Sequence, residues 1–103
     1  MEQTLFSPDW RDEVIFSAGG PQPQVLHEDA KAKVVVVGLE PGGRIPAHAG
    51  GAGVYHFLEG TGQMAVGDEV FAVQAGSTLI IPDGATRGLL AQTRLAFIAV
   101  RIL

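Results

Sequence analysis

The chain has no cysteine. Disulfides, thiolate metal sites and thiol nucleophiles are therefore excluded. It has no apolar run approaching the ~18 residues that a membrane-spanning helix needs. Positive charge is also scarce, with seven Lys and Arg against eleven Asp and Glu and a formal net charge of −4. The few basic residues are scattered, so no basic face meets the phosphates of a nucleic acid. The opening, Met1–Trp10, carries Glu2 and Asp9 and lacks a basic start followed by an apolar run. A signal peptide is not expected there, and a cytoplasmic setting is. Helical periodicity is missing too: no stretch of ~12 residues repeats its apolar side chains every 3.6 positions.

Glycine and proline, in contrast, are frequent, at 14 and 6 in 103 residues. With 47% apolar residues the chain is expected to fold as one globular domain, residues 1–103. The Gly and Pro joints leave short runs of strand character: Val14–Ser17, Gln24–Glu28, Lys33–Leu39, Val54–Leu58, Gly62–Val66, Glu69–Gln74, Ser77–Ile81, Thr86–Leu90 and Arg94–Ile102. Closely spaced short strands predict an all-β barrel or sandwich. Gly67-Asp68 reads as a tight hairpin turn, and Glu40-Pro41-Gly42-Gly43 and Pro82-Asp83-Gly84 as further turns. The last run is apolar on both faces apart from its arginines, as a central strand would be. One helical turn is expected at Ser7–Trp10, with Ser7 as cap and Pro8 in the first position. Trp10 and Phe16 are expected to plug a barrel end or a subunit contact, and His27 to lie exposed on an edge.

Two stretches resemble the motifs of the cupins. PGGRIPAH (Pro41–His48) followed by VYHFLEGTG (Val54–Gly62) is similar to the first motif, spanning about residues 41–62. GSTLIIPDGATRGLL (Gly76–Leu90), with Gly76, Pro82 and Gly84 in step, is similar to the second. The resemblance covers roughly residues 33–102. It implies a double-stranded β-helix, a jelly-roll barrel with one pocket lined by both motifs. It also implies a metal held by two histidines and a glutamate (or histidine) of the first motif and a histidine of the second. Placed on this chain, those four slots read His48, Gly50, Gly53 and Arg87, and the asparagine that often follows is Ala91. One imidazole does not hold a catalytic metal, which needs about three protein ligands. An arginine adds a fixed positive charge that repels one. No metal or other cofactor is therefore expected. A rearranged site from His48, His56 and Glu59 is opposed by strand alternation: if Gly53, Tyr55 and Phe57 face inward, His56 faces outward.

The pocket candidates that remain are His48, Tyr55 and Arg87. Arg87 either sits solvated at the barrel mouth, or paired with Glu59 or Asp83, or clamps a ligand carboxylate or phosphate with its planar fork. His48 is either a structural imidazole or an acid–base group, and Tyr55 either core or a phenol donor. These residues fit a binding module for a small anionic molecule. They also fit a metal-independent isomerase, epimerase or lyase in which His48 and Tyr55 form the acid–base pair, although no carboxylate partner for His48 is identifiable. A metal-dependent dioxygenase or isomerase is disfavoured by the missing ligands. The resemblance further implies a homodimer.

Overall fold

A computed structural model describes residues 4–103, so the acidic opening at Glu2 lies outside the described residues. A short 3-10 helix, Trp10–Asp12, precedes nine strands. The first four are β1 (Gln24–Glu28), β2 (Ala32–Leu39), β3 (Arg44–Ala49) and β4 (Gly53–Glu59). β5 (Thr61–Val66), β6 (Glu69–Gln74), β7 (Thr78–Ile81), β8 (Thr86–Ala91) and β9 (Leu95–Ile102) follow. They form two antiparallel sheets, one ordered β1-β2-β9-β4-β7 and the other β3-β8-β5-β6. This is the jelly-roll expected from the sequence. No helix among the described residues is long and apolar enough to cross a membrane.

Alternation fixes which side chains meet between the sheets. In the larger sheet, cross-strand partners stack in rows on the inner face: Val37–Phe97–Phe57, then Val35–Ala99–Tyr55–Leu79, then Lys33–Arg101–Gly53–Ile81. The first two rows meet Met64, Leu89 and Ala91 of the smaller sheet to form the core. Phe97 stacks on Tyr55 and tilts against Phe57, with 5.5 Å between ring centroids in both pairs. Complete burial of Phe57, Met64 and Leu95 stabilises the fold by about 1.5–3 kcal/mol each. The third row runs from buried Ile81 to the cations Arg101 and Lys33, which mark the open end of the barrel.

The turns fall where glycine and proline put them. β5 and β6 are joined by Gly67-Asp68 alone, with Gly67 at φ 57°. β9 lies between β2 and β4, as its two apolar faces require.

Three local expectations need correction. Val14–Ser17 is not a strand. It belongs to a strap that crosses the outer face of the larger sheet, where a Cβ on Gly38 would lie 2.7 Å from the Phe16 ring. Trp10 and Phe16 accordingly line an outer groove with Glu59 and Arg94, rather than plugging the barrel. The helical turn begins two residues later than expected. The Asp9 carboxylate, a stronger acceptor than a hydroxyl, takes the Arg11 N–H at 3.0 Å, and Ser7 Oγ donates to the Asp9 carbonyl. Finally, β3 forms where none was expected. Pro46 removes a ladder donor, and the strand tolerates it because β3 is an edge strand whose register with β8 shifts between Ile45 and His48.

The strap is held by half-buried Phe16, over which the Arg94 guanidinium lies at 3.6 Å. Phe16→Ala is expected to lower stability by about 1–2 kcal/mol through lost burial and lost cation–π contact. A urea titration checks this; an unchanged midpoint would mean that the strap contributes nothing to folding.

Candidate functional site

The open end of the barrel holds a cavity of about 230 Å³ between the sheets. Its walls are apolar, from Val35, Val37, Ile45, Met64, Phe97 and Ala99. Its polar groups are His48, Tyr55, Arg87, Lys33 and Arg101. The three candidates from the sequence therefore share one cavity.

Arg87 enters from β8 on the same face as Leu89, and its cross-strand partner is His48. The whole residue is only 3% exposed. Two of its guanidinium nitrogens are engaged by backbone. Nε donates to the Ala85 carbonyl at 3.2 Å, and Nη2 donates to Ala85 at 2.8 Å and to Gly50 at 3.0 Å. Nη1 has no hydrogen-bond partner among the described residues, and no ion pair forms with Glu59, Asp83 or any other described carboxylate. Neither alternative of the exposed or acid-paired arginine holds. Backbone carbonyls orient the group but leave its charge uncompensated, which is costly inside a barrel.

The glycines explain how the guanidinium fits. A Cβ on Gly50 would lie 3.5 Å from Arg87 Cζ, and one on Gly53 would lie 3.7 Å from Nη1. Longer side chains at either position would occupy the space that the guanidinium fills. The four slots of the motif resemblance thus converge, but around an arginine head. Three of the four provide no ligand atom, and no cluster of three His, Asp or Glu side chains occurs among the described residues. The residues present do not fit a metal ion.

His48 is exposed at the cavity mouth. Its Nδ1 lies 3.1 Å from the Pro46 carbonyl, which can only accept, so Nδ1–H donates and Nε2 is left without a protein partner among the described residues. Tyr55 is buried, and its hydroxyl has no protein partner among the described residues. His56 lies on the outer face, where it shares a 2.7 Å hydrogen bond with Thr78 Oγ1. The His48, His56 and Glu59 cluster is not assembled, for the alternation reason given above. His27 is exposed on edge strand β1, paired with Asp29 at 2.9 Å.

The sequence alone does not single out Lys33 and Arg101. The available signal is the period of two: Phe97, Ala99 and Arg101 share a face, as do Val37, Val35 and Lys33.

No protein-family model matches the chain, and a search of curated proteins finds no relative. Solved structures do match. A Klebsiella pneumoniae protein with a double-stranded β-helix domain is 25% identical, with a TM-score of 0.85 over 98% of this chain and 90% of that one. An RmlC-like cupin from Shewanella frigidimarina is 20% identical, with a TM-score of 0.80 over 99% and 94%. An RmlC-like cupin from Desulfovibrio desulfuricans is 23% identical, with the same TM-score over 99% and 96%.

Proposed function

Starting from a chain that has the cupin fold and an arginine where the metal ligands would converge, we propose that it binds a small organic anion. The observation that carries this is the Nη1 of Arg87, which has no protein partner among the described residues and belongs to a 3% exposed residue lining a cavity with largely apolar walls. A carboxylate there would neutralise the buried charge and accept charge-assisted hydrogen bonds. The Tyr55 hydroxyl adds a donor in the same cavity, and His48 Nε2, which has no protein partner among the described residues, lies at its mouth. At ~30 Å³ per water-sized unit, the cavity of about 230 Å³ holds a ligand of about eight heavy atoms.

A binding role is favoured over an isomerase, epimerase or lyase by the lining itself. An acid–base pair of His48 and Tyr55 would need a carboxylate to raise the basicity of the imidazole. No described Asp or Glu lines the cavity, and the Nδ1 of His48 is spent on a carbonyl. A thermal-shift panel of carboxylates, sugar phosphates and divalent metals tests the proposal. Carboxylates are expected to raise the melting temperature and metals to leave it unmoved. Stabilisation by metals alone would overturn it.

We further propose that the chain pairs with a second copy through the outer face of its larger sheet. Val34, Val100, Val54 and Ile80 form one aliphatic cross-strand row there, and Ile80 is 72% exposed. Such a row can meet its own copy about a two-fold axis. Ile80→Asp is expected to convert a dimer into a monomer of 10.8 kDa in light-scattering chromatography. A dimer that survives the substitution would place the contact elsewhere.

A further inference from the structure

The charge around the cavity is one-sided. Three of the seven Lys and Arg residues line it, and none of the eleven acids is found there among the described residues. Yet the chain as a whole is negative. Lys33 and Arg101 are also directly opposite each other in the β2–β9 register. Like charges in that relation destabilise a sheet. Glu28 relieves Lys33 only distantly, at 3.9 Å, and Arg101 has no acidic partner among the described residues.

The rows place these cations along one rim. Gly53, where the free Nη1 of Arg87 arrives, is the cross-strand partner of Arg101, and Arg101 is the partner of Lys33. Adjacent strands are spaced by about 4.8 Å, so Arg101 begins about 5 Å and Lys33 about 10 Å from Gly53. One anionic group on Arg87 leaves the rest of this rim uncompensated. Two carboxylates about 5 Å apart would satisfy it, with the carbon chain between them against Ala99 and Tyr55.

We infer that the ligand is a short dicarboxylate: one carboxylate is clamped by Arg87, and the other is held at the rim by Arg101 and Lys33. This rests on the Arg87 clamp proposed above. It specifies a second anionic subsite that the clamp alone does not require.

Isothermal titration at low salt with valerate and glutarate tests it, since both have five carbons and differ by one carboxylate. Glutarate is expected to bind about tenfold more tightly, the lower end of a charge-assisted contact because the rim is exposed to solvent. In Arg101→Gln, whose side chain is exposed and whose loss leaves the core intact, that advantage is expected to fall below about threefold, with valerate affinity little changed. Lys33→Gln with Arg101→Gln is expected to remove it. Equal binding of the two acids, or an advantage that persists in the double variant, would overturn the second subsite and leave the clamp standing. Binding of neither acid would overturn both. Inorganic phosphate binding more tightly than glutarate would show a single-headed site and overturn the dicarboxylate.

Discussion

Arg87→Met is expected to leave the free protein within about 1 kcal/mol of its original stability while costing about 100-fold or more in affinity for carboxylates. The two halves of this result have different origins. Methionine removes a buried charge that no described carboxylate compensates, a change that is often neutral or stabilising. Against that gain, the Ala85 carbonyl loses its side-chain donors, whereas the Gly50 carbonyl keeps the Gly84 N–H at 2.8 Å. One orphaned acceptor costs about 1–3 kcal/mol, comparable to the relief of the charge. Binding has no such compensation, because in the proposed complex Nη1 is the group that meets the ligand.

A carboxylate at ~100 times its Kd would add about 2.7 kcal/mol to the original protein, or roughly 10–20 °C in Tm for a domain of this size. In the variant that rise should vanish. Denaturant titration and thermal melts with and without ligand check both halves. A loss of more than about 3 kcal/mol in the free variant would instead make Arg87 a structural strut holding the Gly50 and Ala85 loops together.

Gly60→Ala is expected to be among the most damaging single-methyl additions in the chain. Gly60 has φ +88°, and a Cβ there would lie 1.8 Å from the Arg94 carbonyl oxygen and 2.8 Å from its carbon. Both atoms are backbone at the entrance to central strand β9, so no flexible side chain can yield. The left-handed conformation costs an alanine about 1–2 kcal/mol. The forced shift of a packed strand adds about 1–3 kcal/mol or more. The sum, roughly 2–5 kcal/mol, corresponds to a fall of about 8–40 °C in Tm. Gly42→Ala separates the two contributions, because Gly42 has φ +81° but nothing within 4 Å of its Cβ position. It should lose only the first. Equal melting temperatures for the two variants would show that the contact at Arg94 relaxes freely.

The turns show why so much of the fold is legible in the sequence. Glu40-Pro41-Gly42-Gly43, Gly67-Asp68 and Pro82-Asp83-Gly84 are local chemistry, fixed by φ or by a missing N–H, and they appear where expected. Inward and outward assignment along β4 follows from alternation once a single residue is placed, which is how Tyr55 and His56 are separated. β3 escapes because Pro46 carries the signal of a loop, and only its position at the sheet edge makes it tolerable. Val14–Ser17 misleads in the opposite sense: its apolar residues serve a strap packed across the sheet, and nothing local distinguishes that from a ladder.

The site is legible to a similar depth. His48, Tyr55 and Arg87 do come together at one cavity. The partners of Arg87, however, are backbone carbonyls of Ala85 and Gly50, which no residue identity reveals. The opposition of Lys33 and Arg101 depends on the register of two strands separated by more than half the chain.

An amide NMR titration of the uniformly 15N-labelled protein, first with glutarate and then, on a fresh sample, with Mn²⁺, tests directly whether Arg87 receives an organic anion rather than the metal that the motif resemblance implies. Saturable shifts with glutarate at Gly50, Gly53 and Tyr55, with no selective broadening by stoichiometric Mn²⁺, is the predicted result. Silence towards glutarate, with Mn²⁺ broadening centred on His48, would contradict it.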